Sequence, residues 1–510
     1  MPATISSGPY PMDISSGPCH MESAALPMPA TISSGHLGSG ARILSECQRY
    51  VALSELRKGF GRLWRSTWGC AAPAEAFNAW LIESMSFCEE PLFPPLPGGI
   101  RDGDTGCVPS RAVESWVQLS GPYAYEKAKT MDSARQEYLR YSAAVTTLVQ
   151  QELPAEAAAA EIAAAAIDPT DFFDSAELQK AALGSLRPRV SRALTKRIRS
   201  FSAEIANLAS ESVQRLACAL SRDMAEPDAR IALCVNTQLY SPPGPRSVPL
   251  MRFELCGPLP GNLDGKLPRR FELRADYVEK LRGLFGQEAS KRGVHNEADN
   301  FLAHCFVVLV RYQAFFGPHD EGAGWHMALT PSVFRALVED FEVSHELFAS
   351  PFNCGLPSYC SVFADTDAYF GSQGGFFRFC AEVMSSTGGS FECNPPFDEH
   401  LMRRVVEALL HALDACRVAL SVALIMPDWP SGRALPNAIE SPLCRATVLV
   451  EGGKHAYVNG RQHQCKERHR LVCHEGRGSR VLFLQNDAGF ERWPPTPRRL
   501  ERHANAWICA

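Results

Sequence analysis

The chain has 510 residues, more than one hydrophobic core organises, so its length indicates about two to four domains. Hydrophobic residues make up 45% and charged residues 21%, as in an ordinary soluble globular protein. The net charge of −5 excludes a polycation, so any basic surface that binds nucleic acid must be local. The longest apolar stretch, Phe301–Val310, is too short to span a bilayer, and no secretory leader is visible. The 18 cysteines form no Cys-x-x-Cys pair and are expected to be mostly buried thiols of an intracellular protein.

Residues 1–40 are expected to be a disordered low-complexity tail, because MPATISSG occurs at residues 1 and 28 and no hydrophobic period is present. Residues 41–225 are predicted to form a helical domain. It includes an alanine-rich helix at Ala155–Ile167 and apolar residues at helical spacing from Val190 to Leu220.

Residues 226–320 are predicted to be a connecting α/β segment that packs on the C-terminal domain. The strings IALCV and LMRFEL flank the turn-rich SPPGPRS and predict a hairpin, and a helix is expected at Ala298–Phe315.

Strands and helices alternate over residues 321–500, which predicts an open α/β sheet, and residues 501–510 are expected to be a tail. Helices are expected at Ser332–Asp340 and Asp398–Leu413. The predicted strands are Glu346–Ala349, Ser361–Ala364, Phe377–Cys380, Ser390–Cys393, Ala419–Met426, Ala446–Val450 and Val481–Gln485.

The strongest local signal is Asn394-Pro395-Pro396-Phe397, which lies between a predicted strand and a predicted helix. Two prolines make this loop rigid. The Asn394 side chain and the Pro395 backbone each offer a carbonyl, so together they can accept both hydrogens of a planar amino group. Phe397 offers a flat face on which a base can stack.

This arrangement suits the exocyclic amine of adenine, which is a poor nucleophile because its lone pair is conjugated with the ring. Two acceptors can draw that lone pair out of conjugation, so positioning and electrostatics suffice without a metal or a strong base. The alternative interpretation is a proline turn that closes a strand, with Phe397 in the core.

Several strings in the same order resemble the phosphorylated-CTD-interacting factor family, the cap-specific adenosine N6-methyltransferases. The resemblance covers about residues 300–500, and its matching strings do not extend into the helical region before them. The matching strings are FASPFN at 348–353, YCSVFADTDAYFGSQGG at 359–375, SFECNPPF at 390–397, LIMPDW at 424–429, RQHQCK at 461–466 and VLFLQNDAGFERWPPTPRRL at 481–500.

The resemblance implies a Rossmann-like class I methyltransferase domain preceded by a mainly helical domain, with an RNA groove between them. It implies a nuclear enzyme, with a cytoplasmic location also open, that uses S-adenosyl-L-methionine. The implied substrate is capped mRNA, methylated at N6 of the 2′-O-methyladenosine beside the cap. Glu399 and the Trp429 loop would touch the target nucleotide or the cap, and a methylated guanine stacks well on indole. Arg433 lies later in the sequence than the family pattern places its arginine.

The family carries a WW module that binds the phosphorylated polymerase tail. The sequence shows no tryptophan pair with the required Gly and Tyr-Tyr spacing, since Trp64 and Trp68 lie in a helical-looking segment. The expectation is therefore a chain without an evident WW domain, and recruitment to the transcription machinery stays open.

The cofactor is expected beyond the strand that carries Glu346, where small residues would let its methionine end approach the backbone. A carboxylate after the next strand is well placed for ribose hydroxyls, by analogy with dinucleotide folds, although Asp-Thr-Asp is also typical of a solvated turn. The predicted cofactor-binding residues are Ser350, Pro351, Asn353, Asp365, Asp367, Phe370, Gly371 and Asn394.

Arg189, Arg192 and Arg197 belong to a basic cluster on a predicted helix, which indicates either an RNA phosphate track or a solvated helix face. No metal is expected, because the spacing of His463, Cys465 and their neighbours is not that of a structural zinc site. No membrane partner is expected either.

Two rival functions remain. DNA adenine methyltransferases and the glutamine methyltransferases of release factors use the same motif, because a glutamine amide is also a planar conjugated amine. The chain could also be a catalytically inactive RNA-binding or cap-binding homologue, which the intact loop disfavours.

Overall fold

The computed structural model describes the chain over the ranges 39–68, 72, 76–78, 80–81, 188–225, 233–244, 247–292, 297–317, 323–429, 432–466, 471–473 and 478–507. The expected N-terminal tail up to residue 38 and the alanine-rich Ala155–Ile167 lie outside the described residues. Within the described part, no helix is both long and apolar enough to cross a membrane.

Four long helices precede the main sheet. They are α1 (Ser39–Trp68), α2 (Pro188–Ala225), α3 (Ala275–Arg292) and α4 (Glu297–Phe316). Helix α1 contacts both α2 and α4. Its Trp64 ring meets the Phe201 ring of α2 edge to face, with centroids 5.4 Å apart. Apolar side chains recurring at helical spacing therefore join these helices through an aromatic core.

A three-stranded antiparallel sheet precedes α3. Its strands are β1 (Cys234–Tyr240), β2 (Leu250–Cys256) and β3 (Arg270–Arg274), in the order β1-β2-β3. Strands β1 and β2 form the predicted hairpin. One face of the sheet is buried through Phe253, Phe271 and their neighbours, and the other face is polar.

The main sheet has five strands in the order β4-β5-β6-β10-β7. Strands β4, β5 and β6 are parallel, and β10 runs antiparallel between β6 and β7. Two isolated parallel bridges, Glu346 to Tyr359 and Tyr359 to Ser372, extend the sheet beyond β4. The strands are β4 (His345–Glu346), β5 (Gly389–Cys393), β6 (Leu420–Pro427), β7 (Cys444–Val450) and β10 (Ser479–Gln485).

Helices cover both faces of this sheet. On one face, α5 (Pro331–Phe341) packs with α9 (Pro497–Ala506), and each begins with a proline, whose missing N–H costs nothing there. On the other face lies α6 (Glu399–Ala415). The remaining elements are α7 (Ala434–Glu440), α8 (Asp487–Arg492) and the small antiparallel pair β8 (Ala456–Val458) and β9 (Leu471–Cys473).

Two strand predictions are wrong. Ser361–Ala364 runs into the helical turn Ala364–Asp367, and Phe377–Cys380 lies in consecutive helical segments that span 376–387, with a π turn at Cys380–Met384. Phe376, Phe379 and Cys380 are buried at helical spacing, and so short an apolar run does not distinguish a strand from a helix. The expected tail from residue 501 is also partly wrong, because α9 continues to Ala506.

Candidate active site

The Asn394-Pro395-Pro396-Phe397 loop directly follows β5 and leads into α6, as predicted. Asp398 caps this helix, because its Oδ1 accepts a hydrogen bond from the Leu401 amide at 2.9 Å. The Asp398 amide in turn donates to the Pro396 carbonyl at 2.7 Å. The prolines and the cap together hold the loop in one conformation at the carboxyl end of a parallel strand.

Asn394 presents an acceptor that no described residue uses. Its Nδ2 donates weakly to the Met327 carbonyl at 3.4 Å, whereas its Oδ1 is buried and has no hydrogen-bond partner in the described part of the chain. A buried carbonyl without a donor costs about 1–3 kcal/mol. A ligand amine placed here would remove that cost.

Phe397 and Trp429 lie together at the ends of neighbouring parallel strands, because Trp429 follows β6. Their ring centroids are 6.1 Å apart with an interplanar angle of 78°. Phe397 also meets Tyr457 edge to face at 5.9 Å. Phe397 and Trp429 are both half-buried, so the structure brings the two predicted stacking residues to one aromatic wall beside Asn394.

Glu399 organises the segment that follows Trp429. Its Oε1 accepts hydrogen bonds from the backbone amides of Arg433, at 2.6 Å, and Ala434, at 2.9 Å, where α7 begins. A carboxylate at a helix N-terminus is favourable on charge grounds as well. A Cβ on Gly432 would lie 2.3 Å from Glu399 Oε2, so glycine permits this contact. Glu399 thus contacts the backbone of Arg433, a connection that the sequence did not reveal.

The loop after β4 carries Ser350, Pro351 and Asn353. The Ser350 amide donates to Asn353 Oδ1 at 2.7 Å, and the Asn353 side-chain amide donates to the His326 carbonyl at 3.1 Å. These bonds close the loop into a compact turn. Pro351 is buried within it.

His326, which the sequence did not single out, supports this turn. Burial lowers the pKa of His326 to about 4, so the ring is neutral at physiological pH. Its Nδ1 donates to the Gly460 carbonyl at 2.8 Å, which leaves Nε2 to accept from the Ser350 hydroxyl at 2.5 Å. His326 lies in the short helical turn Ala323–His326 before α5, and its sequence string carries no signal of these contacts.

Asp365 is held by an arginine of α4. Arg311 binds both Asp365 oxygens, at 2.9 and 3.0 Å, and both Glu46 oxygens of α1, at 2.7 and 2.8 Å. Burial pushes the pKa of Asp365 upward, but the charge and hydrogen bonds of Arg311 outweigh it, so the pKa is lowered overall. Both carboxylate oxygens are therefore already engaged inside the protein.

Asp367 differs from Asp365, because its neighbours are uncharged hydroxyl groups. Tyr312 donates to Asp367 Oδ2 at 2.7 Å, and Thr366 donates to Oδ1 at 2.9 Å. Burial raises the pKa of Asp367 to about 7. Phe370 is buried and Gly371 has a φ of 100°, a left-handed conformation that glycine tolerates.

Two glutamates that the sequence did not single out lie under the same strand ends. Glu346 of β4 is the register partner of Glu392 of β5, and both side chains are buried. Glu346 Oε1 accepts from the Gly355 and Leu356 amides at 2.7 and 2.6 Å. Burial raises the pKa of Glu346 to about 8, and burial together with the Glu346 charge raises the pKa of Glu392. Strand alternation places Glu392 and Asn394 on the same face of β5.

The remaining residues that the sequence singled out include three arginines of α2 and His463. Arg189, Arg192 and Arg197 lie on α2, and their side chains are outside what the structure describes. His463 stacks on Phe352, with ring centroids 4.3 Å apart. Over the described ranges, no three His, Cys, Asp or Glu side chains converge as metal ligands would.

Together these features define an α/β protein with a mixed sheet, compatible with a methyltransferase homologue. Two curated relatives, one from Homo sapiens and one from Mus musculus, are named mRNA (2'-O-methyladenosine-N(6)-)-methyltransferase. They are 28% identical to this chain over 498 and 497 residues, respectively. Each alignment covers 91% of this chain and 66% of the relative, so the chain spans just under two thirds of the relatives' length.

The family model described as "Phosphorylated CTD interacting factor 1 WW domain" matches residues 280–460. This match supports the resemblance noted from the motifs, and it makes the expectation of a chain without a WW domain wrong. That expectation relied on two closely spaced tryptophans. The matched stretch has Trp325 and Trp429 far apart in the sequence, so the spacing test did not detect it.

Proposed function

We propose that this chain is an S-adenosylmethionine-dependent methyltransferase that methylates N6 of the (2′-O-methyl)adenosine next to the cap of mRNA. The observation that carries the proposal is the buried, unused Asn394 Oδ1 at the end of β5, beside an aromatic wall. The names of the two relatives support the same activity.

Asn394 and Pro395 do the positioning work in this proposal. The Asn394 side-chain carbonyl and the Pro395 backbone carbonyl accept the two hydrogens of the adenine amine. This grip turns the nitrogen lone pair out of the ring plane and aims it, which is an electrostatic and orientational effect. S-adenosylmethionine supplies the electrophilic methyl group when bound. Pro396 keeps the loop rigid, and Phe397 stacks on the base.

The residues around Asn394 fit such a cofactor. The Ser350–Asn353 turn lies at the carboxyl end of β4, next to β5, and its small side chains let a ligand approach the backbone. We assign Ser350, Pro351, Asn353 and Asn394 to the methionine end. We assign Asp367, Phe370 and Gly371 to the nucleoside end. Asp365 acts at this end through its ion pair with Arg311, which fixes the turn.

Trp429 and Glu399 are assigned to the capped end of the RNA. A 7-methylguanosine is cationic and stacks favourably on an indole ring. Glu399 holds the segment after Trp429, and Arg433 lies at its exposed end, where it can meet a phosphate. Arg189, Arg192 and Arg197 of α2 are proposed as a phosphate track.

The order of the strands supports a Rossmann-like class I methyltransferase domain. When the two isolated bridges are counted as strand positions, β4 and these two positions lie parallel on one side of β5. The antiparallel strand β10 lies near the opposite edge of the sheet. We propose residues 321–500 as this domain, with α9 completing its packing. We propose residues 41–225 as a helical domain and 226–320 as the connecting segment. A nuclear location, and a link to the transcription machinery through the stretch that matches the WW-domain model, complete the proposal.

The decisive experiment is methyl transfer from labelled S-adenosylmethionine to RNAs that differ only in the cap and the first nucleotide. The expected result is N6-methyladenosine on a capped RNA that begins with 2′-O-methyladenosine, and little on its uncapped or guanosine-initiated controls. Equal transfer to uncapped RNA, to DNA or to a glutamine-containing peptide would replace this substrate with one of the rivals. If calorimetry shows no binding of S-adenosylmethionine, the chain is an RNA-binding homologue without catalysis.

A further inference from the structure

Two cysteines face each other across the hairpin of β1 and β2. Cys234 is the register partner of Cys256. The Leu255 amide donates to the Arg269 carbonyl on the β3 side, so the backbone of the next residue, Cys256, points to β1. Directly opposed residues of this hydrogen-bonded type have Cα atoms about 5.5 Å apart. Disulfides join Cα atoms about 4.4–6.8 Å apart.

Both sulfur atoms lie on the outer, polar face of the small sheet. Cys234 is exposed and Cys256 is partly exposed, whereas seven of the 12 cysteines whose side chains are described are buried. Asn236 Nδ2 donates a hydrogen bond to Cys256 Sγ at 3.2 Å, which keeps that sulfur on the same face as Cys234. The pair thus combines accessibility with a Cα separation that a disulfide can span.

We propose that Cys234 and Cys256 are an oxidative modification site that closes to an intrachain disulfide when a peroxide supplies the oxidising equivalents. The Cys234 thiolate attacks one peroxide oxygen, which gives a sulfenic acid and releases the other oxygen as water or alcohol. The Cys256 thiolate then attacks that sulfur, forms the S–S bond and releases the sulfenic oxygen as water. Two thiols are oxidised and one peroxide is reduced.

The bond would act on a weakly held strand. Strand β1 is terminal in its sheet, and of its seven residues only Val235 is buried. Its attachment therefore relies on the hydrogen bonds to β2, and such strands open locally at low cost. Opposed Cβ atoms stand slightly farther apart than in a relaxed disulfide, so the bond would be readily reduced. The disulfide would therefore reversibly fix the start of β1 to β2.

The test is peroxide treatment of the full chain, followed by peptide mapping without reductant and by hydrogen exchange. We expect a Cys234–Cys256 cross-linked peptide that disappears with dithiothreitol. We also expect about tenfold slower exchange of the β1 amides in the oxidised protein. Cys234→Ser and Cys256→Ser should each abolish both effects, whereas Cys218→Ser, which removes an exposed thiol of α2, should abolish neither.

Three results would overturn the proposal. One is oxidation of Cys234 to sulfinic or sulfonic acid without the cross-link. Another is a cross-link between chains in place of the intrachain one. The third is unchanged β1 exchange in a protein whose cross-link is proven. Exchange of the β2–β3 amides in the serine variants reports that the sheet has folded, so a misfolded variant is recognised directly.

Discussion

Glu346 and Glu392 lie side by side on adjacent parallel strands, and both carboxyl groups are buried beneath the loops that carry Ser350 and Asn394. Two carboxylates so placed cannot both be ionised without a large cost. Burial raises the pKa of Glu346 to about 8 and also raises that of Glu392. At neutral pH the folded protein therefore retains protons here that the unfolded chain has released.

This pair predicts that its own contribution to stability falls as the pH rises. The unfolded chain loses these protons near pH 4.5, whereas the folded chain retains that of Glu346 to about pH 8 and that of Glu392 well above its usual range. The folded state is therefore favoured at low pH and progressively penalised as the pH rises through this window. Each retained proton contributes a fall of about 1.4 kcal/mol per pH unit, measured by urea unfolding from pH 7 to pH 8, where the buried histidines are mostly neutral in both the folded and the unfolded chain. Glu392→Gln should flatten the slope, and the exposed Glu339→Gln should leave it unchanged. A slope in Glu392→Gln as steep as in the unmodified chain would show that Glu392 retains no proton at neutral pH in the folded protein.

Asn394→Ala removes the acceptor that we assign to the adenine amine. We expect turnover to fall by about two orders of magnitude or more, as for the loss of one positioned group in a transition state. Cofactor affinity, measured by calorimetry, should change little. Asn437→Ala, an exposed asparagine of α7, is the matched control. Near-normal turnover in Asn394→Ala would remove this residue from the mechanism.

Asp365→Asn tests the buried ion pair with Arg311. The substitution leaves a buried guanidinium with one remaining carboxylate partner, Glu46, so we expect a loss of about 3–5 kcal/mol in the free energy of unfolding. Asp264→Asn breaks an exposed pair with Arg269 and should cost less than about 1 kcal/mol. Equal losses in the two variants would mean that the buried pair adds nothing beyond a surface contact.

Glu399→Ala should loosen the segment that carries Trp429, because the Arg433 and Ala434 amides lose their acceptor. The loss of such a cap costs about 1 kcal/mol locally. We expect KM for capped RNA to rise severalfold while kcat changes less, since the Asn394–Phe397 loop, to which we assign the chemistry, is untouched. Glu407→Ala, on the same helix, serves as the control. A fall in kcat with KM unchanged would instead place Glu399 at the reacting base.

Features that depend on neighbouring residues of the sequence were predictable, whereas contacts between residues far apart in the sequence were not. The Asn394–Phe397 loop, the β1–β2 hairpin and the bounds of α5 and α6 follow from turn chemistry and periodicity within a few residues of sequence. The pairing of Glu346 with Glu392 depends on which strands become neighbours, and neither residue stands out in its own string. Asp365 resembled a ribose ligand in sequence because its partner, Arg311, lies 54 residues earlier. The aromatic residues in 376–380 are compatible with either a strand or a helix, and only the packing in the structure shows which side chains are buried.

The position of β10 has a consequence for how the chain matures. Among the described strands β10 is the last in chain order, yet it occupies the sheet interior between β6 and β7. Until residue 485 has been synthesised, β6 and β7 each have an unpaired hydrophobic edge, and both edges pair with β10 in the folded protein. A premature stop before this point would leave both edges open to other chains, so truncation before β10 would produce aggregation rather than a shortened folded protein.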